Sequence, residues 1–84
     1  MVKVAITPKA QKELNRITPT LRVTVVRKIN DLRNRPNVSE IKRLKGGRWG
    51  DAYRRRAGDY RIIFQWVGGE IWVVKIGDRK DVYE

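Results

Sequence analysis

The sequence contains neither cysteine nor histidine. The absence of cysteine excludes disulfide bonds and thiolate metal sites, and the absence of histidine removes the usual general base and the commonest transition-metal ligand. The only serine, Ser39, has no histidine to activate it, which excludes a serine hydrolase triad. No apolar run reaches the length of a membrane span, and the N-terminus lacks the apolar segment of a signal peptide. We therefore expect a cytoplasmic protein.

Carboxylates are also scarce. Nine Asp and Glu stand against twenty Lys and Arg, so the formal net charge is +11 at pH 7. Nucleic acid, an anionic membrane surface or an acidic protein would each offset this charge. The basic residues concentrate between positions 42 and 61: Lys42, Arg43, Lys45, Arg48, Arg54, Arg55, Arg56 and Arg61. Arginine is more frequent than lysine, and its planar fork suits phosphate, so the composition favours nucleic acid.

The first half of the chain predicts one strand and two helices within a single domain, residues 1–84. Apolar residues alternate over positions 2–6, as in a strand. Thr7-Pro8 and Thr18-Pro19 are each typical of a helix start, with threonine as the N-cap and proline in the first turn. The predicted buried faces are Ala10, Leu14 and Ile17 in the first helix, and Leu21, Val25, Ile29 and Leu32 in the second. The segment "NRPN" ends the second helix, and the two helices form an antiparallel pair.

The second half predicts strands at 52–57, 60–67 and 71–76. The connections "GD" and "GG" are typical of two-residue β-hairpins. The expected fold is therefore α+β, with an N-terminal strand and a helical hairpin packed on one face of a small antiparallel sheet. The other face of that sheet is expected to be open and basic.

Side-chain alternation assigns the residues of the segment 60–67 and of its neighbours to faces. The apolar set should pack against the helices: Tyr60, Ile62, Phe64 and Trp66. Arg61 then points to the open face. Trp72, on the same face as Val74 and Ile76 by alternation, is expected in the core together with Trp66. Trp49, in the loop "GGRWGD", is predicted to contact RNA.

The segment "YRRRA" is harder to place. If Tyr53 packs inward, Arg54 and Arg56 lie beside Arg61 across the hairpin, while Arg55 points inward and has to extend to an edge. Such a cluster is either an ordinary solvated surface or a phosphate-binding face. Like charges opposite each other destabilise a sheet, and no run of carboxylates neutralises them, which favours the second interpretation.

The stretch "KRLKGG…AYRRRAGDYRIIFQWVGGEIWVVKIGDRKDVY" resembles the RelE/ParE superfamily of bacterial toxins from type II toxin–antitoxin pairs. The matching features are "LKG" before the sheet, the hairpin around "GDYRIIF", and the closing "IG-x-R-x-x-VY". The helical hairpin agrees in length and order, so the resemblance covers nearly the whole chain. It implies a small antiparallel sheet packed against an N-terminal helical hairpin.

The resemblance also implies a function. RelE-like toxins cut messenger RNA in the ribosomal A site, whereas ParE-like toxins poison DNA gyrase and generally lack the basic catalytic set. The RelE-like positions are matched here by Arg54, Arg56, Arg61, Arg79 and Tyr83. Arginine stands at the first two where lysine is common, and Asp78 stands where many members carry histidine. Lys42, Arg43, Lys45, Arg48 and Trp49 are expected to contact RNA or the ribosome.

The chemistry of RNA cleavage gives each group a role. The 2′-hydroxyl attacks the adjacent phosphate, so guanidinium groups would stabilise the developing charge. Arginine is too weak an acid to act as the base, which leaves Tyr83, with an unperturbed pKa of about 10. Tyr83 could instead stack on a base or pack against the fold. No metal or other cofactor is expected, because the surroundings of Asp78, Asp81 and Glu84 are strongly cationic.

Three functions stay open at this point. They are a ribosome-dependent endoribonuclease, a gyrase-directed toxin, and a catalytically degenerate protein that binds only an antitoxin or nucleic acid. For the toxins, the expected partner is an antitoxin with an acidic segment, encoded by the neighbouring gene, in a hetero-oligomeric complex. The first function adds the ribosome and messenger RNA as partners.

Overall fold

A computed structural model of the chain describes residues 2–34, 41–44 and 52–78. In this part of the chain the elements are β1 (Val4–Ile6), α1 (Pro8–Asn15), α2 (Pro19–Asn34), β2 (Ile41–Leu44), β3 (Ala52–Ala57), β4 (Tyr60–Val67) and β5 (Glu70–Asp78). The strands form one sheet in the order β1-β5-β4-β3-β2. Both helices pack on one face of this sheet, so the predicted α+β architecture is confirmed.

The sheet is mixed and not purely antiparallel. β1 pairs with β5 in parallel, with Val4 opposite Ile71, while the remaining neighbours are antiparallel. The alternating apolar residues of β1 predict a strand, but they carry no information about which distant strand it pairs with. β2 was not predicted, because four residues with two apolar members are too short a pattern to identify.

Both predicted helix starts are confirmed. The Thr7 hydroxyl accepts a hydrogen bond of 3.2 Å from the Ala10 amide, as an N-cap does, and α2 begins at Pro19. The two helices are joined by Arg22, whose guanidinium donates to the carbonyl oxygens of Asn15 and Ile17 at 2.9–3.2 Å. The last carbonyl of α1 and one carbonyl of the connection between the helices are thereby satisfied. Neither described helix has the length and apolar character of a membrane span.

The main core lies between the helices and the sheet. Its buried members are Ala10, Leu14, Ile17, Val25, Ile29, Leu32, Ala57, Ile62, Phe64, Ile71, Val73 and Ile76. Tyr53 and Tyr60 are partly buried against this core, as predicted, and the Tyr53 ring stacks on Phe64 with 5.7 Å between centroids. The prediction for Leu21 is wrong, because 48% of it is exposed. The first buried residue of α2 is Val25, so Leu21 precedes the part of the helix that packs on the sheet.

A β-bulge in β5 changes which residues face the helices. Ile63 pairs with Lys75 and Phe64 with Val73, so Val74 is the extra residue. Ile76 consequently joins Val73 in the core instead of sharing a face with Trp72. Trp72 is half-buried outside both apolar clusters, and Trp66 is 38% exposed. The prediction that both tryptophans lie in the core is therefore wrong.

The bulged part of β5 is tied to α1. β1 pairs only with residues 71–73 of β5, and beyond them the Glu13 carboxylate accepts a hydrogen bond of 3.0 Å from the Ile76 amide. The same carboxylate forms an ion pair with Lys75, and both side chains are largely buried. Glu13 therefore satisfies a backbone donor that β1 is too short to reach.

Candidate functional site

The β3–β4 hairpin positions two arginines side by side. Gly58 adopts a φ of +62°, which suits the first central position of a tight hairpin turn and which other residues rarely adopt. The turn sets the register in which Arg56 lies directly opposite Arg61. Cβ atoms of such a pair are about 4.5–5.5 Å apart. Two guanidinium groups therefore emerge from neighbouring points of the sheet.

Arg54 lies on the same face, two residues before Arg56. It pairs with Ile63 on one side and with Lys42 of β2 on the other. The helix side of these strands is occupied by core residues such as Ile62, so the three arginines lie on the face that the helices do not cover. We call Arg54, Arg56 and Arg61 the arginine face.

The arginine face is not the naked surface that the sequence predicts. Ala52 and Ile63 on this side of the sheet are completely buried, with Leu44 and Val74 packed against them. Arg61 itself is only 6% exposed, so the expectation that it points into solvent is wrong. Alternation along the strand assigned the correct face, but it does not report how deeply a side chain on that face is covered.

The Arg61 guanidinium has few partners. Its Nη1 donates to the Tyr60 carbonyl at 3.5 Å, the outer limit for a hydrogen bond, and its buried Nε has no acceptor. Within residues 2–34, 41–44 and 52–78, no carboxylate pairs with it. A buried charge without a counter-charge is costly, which makes Arg61 a strong candidate for binding an anion.

The other two arginines are progressively more accessible. Arg54 is half-buried and has Lys42 as its cross-strand neighbour. Arg56 is exposed, and its Nε donates to the Gly58 carbonyl at 3.2 Å, which leaves the rest of the guanidinium facing outward. The arginine face thus presents cationic groups at three different depths, an arrangement suited to a polyanion that enters from solvent.

Arg55 is in a different environment from its neighbours. It is 2% exposed, on the helix side of the sheet, with Nη2 2.8 Å from the Asp31 carboxylate and Nη1 3.3 Å from the Lys28 carbonyl. The inward orientation was predicted, but the extension to an edge was not correct. Sequence reasoning missed Asp31, although it is the only carboxylate in α2. By tying β3 to α2, Arg55 holds Arg54 and Arg56 on the opposite face.

The remaining predicted contact residues are divided. Lys42 lies on the arginine side of β2, whereas Arg43 pairs with Tyr53 and therefore lies on the helix side. The two cannot contact one ligand on a single face of the sheet. The other predicted site residues lie outside the described residues: Lys45, Arg48, Trp49, Arg79 and Tyr83.

Three solved structures with a similar fold are toxin–antitoxin complexes. The RelE–RelB complex of Pyrococcus horikoshii matches with 26% identity and a TM-score of 0.76, over 96% of this chain and 98% of that one. A RelBE complex of Mycobacterium tuberculosis matches with 21% identity and a TM-score of 0.79, over 93% and 98%. The intact Escherichia coli RelBE complex matches with 22% identity and a TM-score of 0.73, over 93% and 96%.

The family assignment comes from the sequence. No curated protein sequence matches the chain. The sequence model described as "ParE toxin of type II toxin-antitoxin system, parDE" matches residues 4–83, nearly the whole chain. With the RelE-like fold, this match shows that the chain belongs to the ParE toxin family of type II toxin–antitoxin systems, within the RelE/ParE superfamily.

Proposed function

We propose that this toxin is a metal-independent endoribonuclease that cleaves messenger RNA in the ribosomal A site and so inhibits translation. The proposal places it in the cytoplasm with the ribosome and messenger RNA as partners. The observation that carries it is Arg61, a buried guanidinium without a carboxylate among the described residues, directly beside Arg56. A phosphate group supplies the missing counter-charge at that point.

The arginine face suits the charge changes of RNA cleavage. Attack of the 2′-hydroxyl on the adjacent phosphate forms a 2′,3′-cyclic phosphate and breaks the bond to the 5′-oxygen. Negative charge builds on the phosphate oxygens, and guanidinium groups that are already in place stabilise it without reorganising. In this proposal Arg61 and Arg56 bind the reacting phosphate, and Arg54 and Lys42 bind a neighbouring one.

Two proton transfers complete the reaction. A base removes the proton of the 2′-hydroxyl, and the departing 5′-oxygen receives a proton. Arginine remains protonated at neutral pH and does not serve as the base. We assign that role to Tyr83 and assign Arg79 to charge stabilisation; both lie outside the described residues.

A gyrase-directed toxin is the second candidate, because the matching family model is that of ParE toxins. The two functions make different demands on the arginine face. An inhibitor that acts by binding gyrase has no need for a buried cation beside a second one, since exposed charges suffice for steering and contact. The burial of Arg61 therefore favours the nuclease.

Brief induction followed by mapping of RNA ends tests the proposal. Cuts at a fixed position within codons, in ribosome-protected messages, are the expected result. Arg61→Met should abolish these cuts, while Arg33→Met, which removes an exposed charge from the last turn of α2, should retain them. DNA breaks that depend on gyrase, with intact messages, would instead establish the second candidate.

A toxin of this kind requires a partner that keeps it inactive. The solved structures above contain RelB antitoxins bound to their toxins. We propose that this chain likewise binds an antitoxin with an acidic segment, encoded by the neighbouring reading frame. The net charge of +11 favours fast, salt-sensitive association with such a segment. Equal growth with and without that frame, with soluble toxin in both cultures, would contradict the toxin proposal.

A further inference from the structure

A tryptophan lies on the same side of the sheet as the arginine face. Trp72 of β5 pairs with Gln65 of β4, and Gln65 alternates with Phe64, which faces the helices. Trp72 therefore points away from the helices. It is half-buried and belongs to neither apolar cluster. The sheet does not require an aromatic ring at this position, because β-branched residues form strands equally well.

The surroundings of Trp72 form an accessible end of this face. Val67 is 52% exposed, and Ala5 of β1 lies beside Trp72 on the neighbouring strand. Glu70 is also at this end, where its carboxylate would repel a phosphate, but it forms an ion pair with Lys3 at 3.5 Å. We call Ala5, Val67 and Trp72 the Trp72 patch. It offers the side of an indole ring next to small and aliphatic side chains.

The Trp72 patch lies within reach of a ligand on the arginine face. Neighbouring strands are about 4.8 Å apart, and each residue advances about 3.3 Å along a strand. Trp72 is two strands and two residues away from Arg54, so their Cα atoms are about 12 Å apart. Arg61 is one strand and four residues away, at about 14 Å. A single strand of RNA whose phosphates bind the arginine face can therefore place a neighbouring base on Trp72.

We propose that Trp72 is a stacking platform for one base of the RNA strand that binds the arginine face. The proposal rests on the nuclease function above and adds a base contact to it. Every base has a flat face, so stacking on an indole supplies affinity and positions the strand without selecting one sequence. A protein partner is less suited to the patch. Among the described residues its apolar surface is little more than Val67 and Trp72, far less than the core of a protein interface needs.

Binding of short RNA to the purified chain tests the platform without the ribosome. The probe is a single-stranded oligonucleotide with 2′-O-methyl sugars, which lack the hydroxyl that attacks the phosphate. An abasic oligonucleotide of the same length keeps every phosphate and serves as its match. Trp72→Leu should weaken binding of the first by on the order of tenfold and leave binding of the second unchanged. Trp72→Phe, which restores an aromatic ring, should recover most of the lost affinity.

Trp66→Leu is the matched control. Trp66 is an exposed tryptophan of the neighbouring strand, and it pairs with Ile71, a core residue, so it lies on the helix side of the sheet. This variant should bind the base-containing oligonucleotide within about threefold of the unmodified chain. If Trp72 only supported the fold, its loss would disturb the arginine face, and affinity for both oligonucleotides would fall together.

The fluorescence of Trp72 gives a second measurement that needs no substitution of that residue. In a chain with Trp49→Phe and Trp66→Phe, Trp72 is the only tryptophan. The base-containing oligonucleotide should quench its emission, because a stacked base contacts the ring, and the abasic one should not. In a chain with Trp49→Phe and Trp72→Phe, the emission of Trp66 should respond to neither.

Three results would overturn the platform. They are normal binding by Trp72→Leu, equal losses for the two oligonucleotides, and emission of Trp72 that the bases do not quench. In each case the mapping of RNA ends decides the nuclease proposal independently. Base-dependent binding through Trp72 without any cleavage of messages would instead overturn the nuclease and retain the platform as an RNA contact. If the protein from the neighbouring frame requires Trp72 and RNA does not, the patch belongs to a protein partner and the proposal fails.

Discussion

Replacing Arg61 by methionine should remove the function of the protein without weakening its fold. Methionine keeps most of the aliphatic length of arginine and removes the charge. Truncating a residue that holds the fold together lowers the stability of the protein. Truncating a residue that is kept for binding at the expense of the fold does not. Arg61 should behave as the second kind, because its charge is buried and has no carboxylate partner among the described residues.

The magnitude follows from three contributions. A buried charge without a partner costs several kcal/mol even after the surroundings relax. Repulsion from Arg56, directly across the hairpin, adds up to about 1 kcal/mol for like charges opposite each other in a sheet, and less here because Arg56 is exposed. Against these, methionine leaves part of the guanidinium volume unfilled, at a cost of about 1–2 kcal/mol. Together these contributions should raise the free energy of unfolding by about 1–3 kcal/mol.

Urea unfolding at low ionic strength measures the difference in free energy of unfolding between Arg61→Met and the unmodified chain. The difference is read from the two transition midpoints, provided that the free energy depends on urea concentration with the same slope in both. Arg33→Met is the control for loss of an exposed charge. Added phosphate, which binds only the folded state, should raise the midpoint of the unmodified chain and of the control, but not that of Arg61→Met. A loss of more than about 1 kcal/mol in Arg61→Met, with the phosphate effect retained, would refute the reasoning and make Arg61 a structural residue.

Three further predictions concern the ion pairs and the proposed base. Asp31→Ala should lower the free energy of unfolding by about 2–4 kcal/mol, because it removes the carboxylate beside the buried Arg55 charge. Arg55→Met, which removes that charge, should lower the free energy of unfolding clearly less. Equal losses of the two variants in urea unfolding would contradict this prediction. Glu13→Gln should cost about 1–2 kcal/mol in the same assay, because it weakens the tie to the bulged end of β5, and an unchanged midpoint would mean that the tie is dispensable. Tyr83→Phe should slow cleavage on programmed ribosomes by about 10²-fold or more if the phenol is the base. Near-normal cleavage would assign Tyr83 to stacking or packing.

The candidate site could be predicted from the sequence only in outline. Alternation along β3 and β4 assigned Arg54, Arg56 and Arg61 to one face, because successive side chains in a strand point to opposite sides. The same argument recognised that Arg55 points inward. It could not identify Asp31 as its partner, since the two residues are 24 positions apart and meet only when α2 packs on the sheet. The roles assigned to Arg79 and Tyr83 stay predictions, because both lie outside the described residues.

The sequence by itself determined the local features of the fold, which depend on interactions between residues close together in the chain. Thr7 and Pro8 start α1, Gly58 and Asp59 close a hairpin, and both outcomes depend on interactions within a few positions of the chain. The tertiary structure alone decided the parallel partner of β1, the bulge at Val74 and the depth at which Arg61 lies. These depend on which distant surfaces meet, and local pattern does not encode that information. The role proposed for Arg61 belongs to this second group, because an arginine becomes a costly buried cation only when the rest of the fold removes it from water.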